Sequence, residues 1–225
     1  MFAAQRLRMA GKYVPFTVPT IAVRQVGSQG PWQPSGSNPV TFGSNVASTE
    51  AVLAFVFTEA LDTPSVSGCG ITAFSQIATT EGASTNSALF LGLNSAGGSA
   101  TLTVDAPTTN QWGAIAFDIS GPLVGAPVQV TSATPTWSGG STGSTQSAPT
   151  MYPTQVGDLM VAVMIASTGS TINPPSGWTA AQPNGSMLYA YRLATSTDVA
   201  NGATVSWTTP AAIYVNTAIC SVVLR

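Results

Sequence analysis

The amino-acid sequence predicts an all-β protein, in which two tandem small β-sandwich domains of the jelly-roll or Ig-like kind follow an extended N-terminal arm. Three observations lead to this prediction. The second half of the chain repeats the order of apolar and turn segments found in the first half. The candidate strands are short and rich in β-branched and aromatic residues, with Gly, Pro, Ser and Asn between them. Beyond the N-terminus, no stretch shows a sustained helical period.

Residues 1–40 are predicted to form the arm. Five prolines between positions 15 and 39 favour extended backbone. Four of the six basic residues lie in the first 24 positions, and no acidic residue precedes Glu50. A basic segment ahead of an acidic body is typical of an arm that docks on an acidic neighbouring subunit, with a solvated tail as the alternative. The residues expected to carry this docking are Arg6, Arg8, Lys12, Tyr13, Phe16 and Arg24.

The repeat is clearest in two pairs of segments. Ala51 to Phe57 and Leu159 to Ile165 are apolar throughout, so each is predicted to be a central strand covered on both faces. Ser99 to Pro107 matches Gly202 to Pro210, and the alternation in both segments predicts strands with one buried face and one wet face.

These segments place one sandwich at residues 41–122 and the other at 148–225, with residues 123–147 between them. Gly139 to Ser147 has the composition of a flexible linker. Val124 to Trp137, just before it, alternates like a strand. Residues 123–147 are therefore either a linker or the first strand of the second sandwich followed by a Gly/Ser loop.

The composition favours a protein that functions inside an assembly. Only 6% of the 225 residues are charged, against roughly 25% in typical soluble domains. A surface of Ser, Thr, Asn, Gln and Gly does not repel its neighbours, which favours association. A secreted Ser/Thr-rich domain without a fixed partner is the alternative.

Neither a signal peptide nor a membrane span is expected. Nucleic acid is not expected as a partner, because the body is acidic and the few cations lack interleaved aromatic residues.

No catalytic residue, cofactor or metal site is predicted. The chain contains no histidine, so the usual serine triad cannot be assembled, and Lys12, the only lysine, lies in the arm. A glycosidase would need two carboxylates facing one cleft, and the aspartates considered for this role are Asp105, Asp118, Asp158 and Asp198. Asp158 and Asp198 are instead interpreted as turn residues that bond their own backbone.

Cys69 and Cys220 lie one in each repeat. A disulfide would require the two sites to face each other, so both are predicted to be small buried thiols.

Trp178 follows Pro175-Ser176-Gly177 and is presented by a turn. The preferred interpretation is that it caps the open end of its sandwich; the alternative is that it is a glycan platform, because aromatic faces stack on sugar rings.

Four segments of the second repeat carry a family resemblance: Gly157-Asp158-Leu159, Pro175 to Thr179, Tyr189 to Ala194 and Val205 to Trp207. In this order, over residues 155–225, they resemble a β module of minor tail and other accessory virion proteins of tailed bacteriophages. In the first repeat, Thr49-Glu50 and Gly68-Cys69 replace the Gly-Asp and Gly-Trp signatures. The resemblance implies a structural protein incorporated during cytoplasmic assembly, and it carries over no catalytic residue.

The expected function is therefore that of a structural component of a bacteriophage virion, with a minor tail protein preferred. A capsid decoration protein that stabilises the shell is one alternative, and a carbohydrate-binding adhesin module using Trp178 is another. The expected partners are other virion structural proteins, further copies of the chain and, for the adhesin, a host-surface glycan.

Overall fold

The computed structural model describes residues 8–9, 12–13, 20–33, 36–58, 63–81, 86–106, 112–121, 123, 127–138, 145–165, 176–181, 183, 187–208 and 215–225. Over these residues the protein is nearly all β, with one short helix and antiparallel sheets, which confirms the predicted all-β class.

The strands of the first half are β1 (Arg8–Met9), β2 (Lys12–Tyr13), β3 (Ala22–Gln33), β4 (Gly36–Val46), β5 (Ala51–Thr58), β6 (Ser65–Gly68), β7 (Phe74–Glu81), β8 (Asn86–Gly92), β9 (Ser99–Ala106) and β10 (Trp112–Ser120). Those of the second half are β11 (Gln129–Ser138), β12 (Thr145–Ser147), β13 (Leu159–Ile165), β14 (Thr179–Ala181), β15 (Met187–Leu193), β16 (Ser206–Thr208) and β17 (Val215–Leu224). The helix α1 (Ser196–Asn201) follows β15.

The two halves build their main sheet in the same way. The first inner sheet has the order β3-β10-β5-β8-β7, and the second inner sheet has the order β11-β17-β13-β15-β14. Each strand of one sheet thus has a counterpart in the same position of the other. The outer layers also correspond, because β4 pairs with β9 in the first half and β12 pairs with β16 in the second. The repeat in the sequence is therefore a repeat in topology.

The two inner sheets pack face to face and share one hydrophobic core, called here the inner core. Leu53 and Phe55 of β5 lie in this core together with Val161 and Val163 of β13. Across this interface β11 packs against β7, β17 against β8 and β15 against β3, so the strand order reverses from one sheet to the other. The halves are therefore arranged like the two subunits of a pseudo-symmetric dimer.

The opposite face of each inner sheet is covered by an outer layer. Val52 and Val56 of β5 lie in a first outer core with residues of β4, β6 and β9. Met160 and Met164 of β13 lie in a second outer core that includes Trp207 of β16. The molecule therefore has four β layers, and the expectation that both apolar central strands are covered on both faces is confirmed.

The predicted domain boundaries at residues 41 and 148 lie too late in the chain. β3 and β4 begin inside the predicted arm, and β3 pairs with β10 from Ala22 to Gln33. The prediction of an extended arm is therefore wrong from residue 22 onwards. Two of the prolines that suggested an arm, Pro31 of β3 and Pro39 of β4, are tolerated because these are edge strands, where a missing N–H removes no necessary ladder bond.

The second half begins with a strand as well. β11 pairs with β17 along residues 129–138, so the segment before the Gly/Ser run belongs to the second inner sheet. A sequence signal for this correspondence exists: Val23-Arg24-Gln25-Val26 is followed by Ser28, and Val128-Gln129-Val130 is followed by Ser132. The repeat thus starts near residues 22 and 126, well before the segments in which it is easiest to see.

Candidate functional site

The residues predicted to form a docking arm do not act as one group. Arg8 pairs with Tyr13 in the β1–β2 ladder, which also contains Lys12. Arg6 and Phe16 lie outside the described residues. The structure therefore gives the backbone position of three of these residues and leaves their docking role a prediction.

Arg24 is not an arm residue, and this part of the prediction is wrong. It lies in β3, where its Nη1 atom is 2.6 Å from Oε2 of Glu50 and 3.9 Å from Oδ2 of Asp118. The register of β3 against β10 shifts at this point, since Asp118 pairs with Gln25 and Ile119 pairs with Val23. Arg24 is thus the extra residue of a β-bulge, a feature that commonly redirects a side chain. Here the bulge residue makes an ion pair within its own half.

Asp118 is the most unusual acid among the described residues. Its side chain is fully buried, Gln25 Nε2 donates to its Oδ2 atom over 2.8 Å, and its Oδ1 atom has no hydrogen-bond partner within the described part of the chain. Burial raises the pKa of Asp118 from 3.8 to about 6. The nearby Glu50 carboxylate raises this pKa further, whereas the hydrogen bond from Gln25 and the charge of Arg24 lower it.

A glutamine in each half ties the first strand of the inner sheet to the outer layer. Gln25 donates to Ser44 O over 2.8 Å and accepts from Ser44 N over 3.0 Å. Gln129 donates to Thr150 O over 3.3 Å and accepts from Tyr152 N over 2.6 Å. In each glutamine, the side-chain nitrogen donates and the side-chain oxygen accepts a hydrogen bond. The sequence analysis missed them, although both glutamines stand in the matching Val-rich segments.

The acids that precede the two central strands occupy equivalent turns. Thr49 N donates to Ser95 O over 2.8 Å and Ser95 N donates to Glu50 O over 2.9 Å. In the second half, Gly157 N donates to Ala194 O over 2.9 Å and Ala194 N donates to Asp158 O over 2.8 Å. Thr49 has a φ of +68° where Gly157 has +93°. Thr49-Glu50 of the first half therefore has the same backbone geometry as the Gly157-Asp158 signature of the second half.

The two aspartates of the second half bond nearby backbone groups, Asp158 in a turn as predicted and Asp198 in a helix, where a turn was predicted. Asp158 Oδ2 accepts from Thr154 N over 2.8 Å and from Gln155 N over 3.1 Å, which closes the turn before β13. Asp198 forms a capping box with Thr195 at the start of α1, where each side chain bonds the backbone N–H of the other. Both carboxylates thus bond neighbouring backbone groups.

The described residues contain no group of three or more His, Cys, Asp or Glu side chains that could hold a metal ion. Within the same part of the chain, no helix combines the length and apolar character needed to cross a membrane.

Cys69 is a free, buried thiol in the first outer core, which confirms the prediction for this residue. Burial raises the pKa of Cys69 to about 11, and the charge of Asp118 adds to the effect. The backbone of Cys220 pairs with Val163 in the second inner sheet, whereas its side chain lies outside the described residues.

Trp178 is half-buried and packs against the second outer core. The guanidinium carbon of Arg192 lies 4.6 Å from the centroid of its ring, and Arg192 is itself held by an ion pair with Asp198. A cation over an aromatic face stabilises both groups and occupies one of the two faces on which a sugar could stack. These contacts favour the capping role of Trp178 over the glycan platform.

We expect Trp178→Ala to lower the free energy of unfolding by about 2 kcal/mol, because it removes both core packing and the stacked partner of Arg192. Urea unfolding measures this loss, and Trp178→Phe, which keeps an aromatic face, should recover much of it. A glycan array on the same three proteins tests the alternative. If the wild type binds a glycan and Trp178→Ala loses that binding at unchanged stability, the platform role is correct.

Comparison with known proteins finds no match: no family model, no curated protein and no solved structure is similar to this chain. The class that the fold defines is accordingly an all-β protein made of two halves with the same strand order.

Proposed function

We propose that this chain is a structural component of a bacteriophage virion and acts through packing and association. The observation that carries the proposal is the four-layer arrangement, in which two inner sheets are buried on both faces. Such a body is stiff, because its central strands are held by close packing on each side. Only 6% of the chain is charged, so its surface opposes close contact with neighbouring subunits only weakly.

Within this proposal the chain consists of two tandem small sandwiches of the jelly-roll or Ig-like kind. Each consists of an inner sheet and the outer layer packed on it. The resemblance of residues 155–225 to modules of phage accessory virion proteins supports a place in the particle. The preferred place is the tail, where the chain would be a minor tail protein bound to other virion proteins and to its own copies.

The assembly arm is limited to the residues before β3. Since Arg24 is engaged with Glu50, the cations left for docking on a neighbour are Arg6, Arg8 and Lys12. Capsid decoration is the alternative location and uses the same arm. The adhesin alternative is the less favoured one, because Trp178 already carries Arg192 on one face.

The test is to locate the chain in particles by immunogold labelling with an antibody raised against the full recombinant chain. Labelling along or at the end of a tail is the expected result. Labelling over the shell would make the chain a decoration protein, and absence of label from intact particles, with the antibody active on the isolated chain, would overturn the virion proposal.

A further inference from the structure

We infer that Arg24, Glu50 and Asp118 form a pH-sensitive latch, which holds β3 tightly to the first inner sheet when Asp118 is protonated and loosely when it is ionised. This inference concerns the first half by itself and does not depend on a virion location.

The latch joins three segments at one end of the sheet. Arg24 is the bulge residue of β3, Glu50 directly precedes β5, and Asp118 lies in β10 between these two strands. Gln25, the next residue of β3, donates to Asp118. Two successive side chains of β3 therefore bond to the two acids, and among the described strands β3 is an edge strand that pairs in the sheet with β10 alone.

The charges in the latch balance in only one protonation state of Asp118. Arg24 contributes one positive charge, and the two carboxylates contribute two negative charges when both are ionised. Asp118 is fully buried and Glu50 is nearly so, which makes an uncompensated negative charge costly. The Oδ1 atom of Asp118 accepts no hydrogen bond within the described residues. A proton on Asp118 removes the excess charge and supplies a donor for Glu50.

The other groups around Asp118 do not supply the missing positive charge. Burial, with a smaller contribution from the charge of Asp118, raises the pKa of Cys69 to about 11, so the thiol is neutral throughout the physiological range. Gln25 is uncharged, and Arg24 already bonds Glu50 over 2.6 Å. Hydration would therefore stabilise ionised Asp118, and separation of the edge strand β3 from β10 would expose it to water.

The direction of the effect follows from linkage. The pKa of Asp118 is raised by burial from 3.8 to about 6 in the closed state. A carboxyl whose pKa is higher when closed stabilises the closed state below its ordinary pKa and loses that contribution as pH rises through the raised value. With these two values, the equilibrium for opening β3 rises about tenfold between pH 5 and pH 8.

The second half provides an internal comparison. Gln129 of β11 pairs with Val223 of β17, just as Gln25 of β3 pairs with Asp118 of β10. Val223 is fully buried and cannot ionise. Opening of β11 is therefore expected to lack this pH dependence, although β11 has the same place in its sheet.

The experiment is amide hydrogen exchange of the full chain, read by NMR at pH 5 and pH 8 and corrected for intrinsic exchange. The expected result is an increase of about tenfold in the opening of β3 at pH 8, with β11 changing much less. Asp118→Asn should abolish the difference for β3. The control Asp158→Asn, which alters the buried acid before β13, should retain it.

A titration of side-chain carboxyl ¹³C shifts in the wild type keeps the test decisive even if a variant fails to fold. One buried carboxyl should titrate near pH 6 together with the exchange of β3. The latch is overturned if β3 opens equally at both pH values. It is also overturned if Asp118→Asn folds and keeps the pH dependence, or if no carboxyl titrates between pH 5 and pH 7.

Discussion

Phe117→Ala is expected to lower the free energy of unfolding by about 3–5 kcal/mol, the range found for large aromatic truncations in a packed core. Phe117 lies on β10, is fully buried and belongs to the inner core. Its ring centroid is 5.5 Å from that of Tyr189 and 6.4 Å from that of Tyr191, with interplanar angles of 86° and 82°. Both tyrosines lie on β15 of the second half, so the substitution removes edge-to-face contacts between the two inner sheets.

Urea unfolding followed by far-UV and near-UV circular dichroism measures this effect. The near-UV tyrosine signal of the folded variant should change, because Tyr189 and Tyr191 lose their shared partner. Phe90→Ala is the matched control, since Phe90 is a buried residue of β8 that faces the first outer core. It should reduce stability while leaving the tyrosine signal intact. A loss below about 1 kcal/mol for Phe117→Ala, or an unchanged tyrosine signal, would contradict the packing of the inner sheets.

Deletion of residues 1–19 is expected to leave the four-layer fold intact and to abolish incorporation into particles. The deletion removes Arg6, Arg8 and Lys12 and stops before Ile21, whose side chain packs in the inner core. Thermal unfolding measures the fold, and particle incorporation is measured by immunoblot of purified particles. Incorporation of the shortened chain at the wild-type level would show that the N-terminal segment does not dock.

A longer deletion, residues 1–30, serves as the comparison. It removes most of β3, including Arg24 and Gln25, and leaves the edge of β10 without its neighbour. Glu50 and Asp118 would also lose their cation. We expect this variant to aggregate or unfold, because an unpaired inner strand is a template for further pairing. The contrast between the two deletions separates a docking segment from a structural strand.

The sequence predicts the central strands well for a physical reason. In Ala51 to Phe57 and Leu159 to Ile165 every side chain is apolar, and a strand of this kind is stable only if both faces are covered. The pattern does not say what covers each face. That the inner faces cover each other depends on residues more than 70 positions apart, such as Phe117 with the tyrosines of β15, and Leu53 with Val161 in the same core.

The edge strands and the latch were harder to predict. β3 contains proline and glycine and lacks strict alternation, because a bulge interrupts it at Arg24. Arg24 therefore resembled a cation of a basic arm, although its partner Glu50 lies only 26 positions away. By contrast, the backbone bonds of Asp158 and Asp198 were predictable, since they connect residues three or four positions apart, although Asp198 makes them at the start of a helix and not in a turn.

The pseudo-dimeric arrangement also affects how such a molecule can evolve. In a dimer of identical chains, a substitution on one exposed surface appears on the other as well. Here both units belong to one polypeptide, so the layer formed by β4, β6 and β9 can change independently of the layer formed by β12 and β16. The buried inner sheets keep the two units together while the outward surfaces diverge. A building block with two unlike surfaces can stack head to tail, which gives the resulting filament or ring a defined direction.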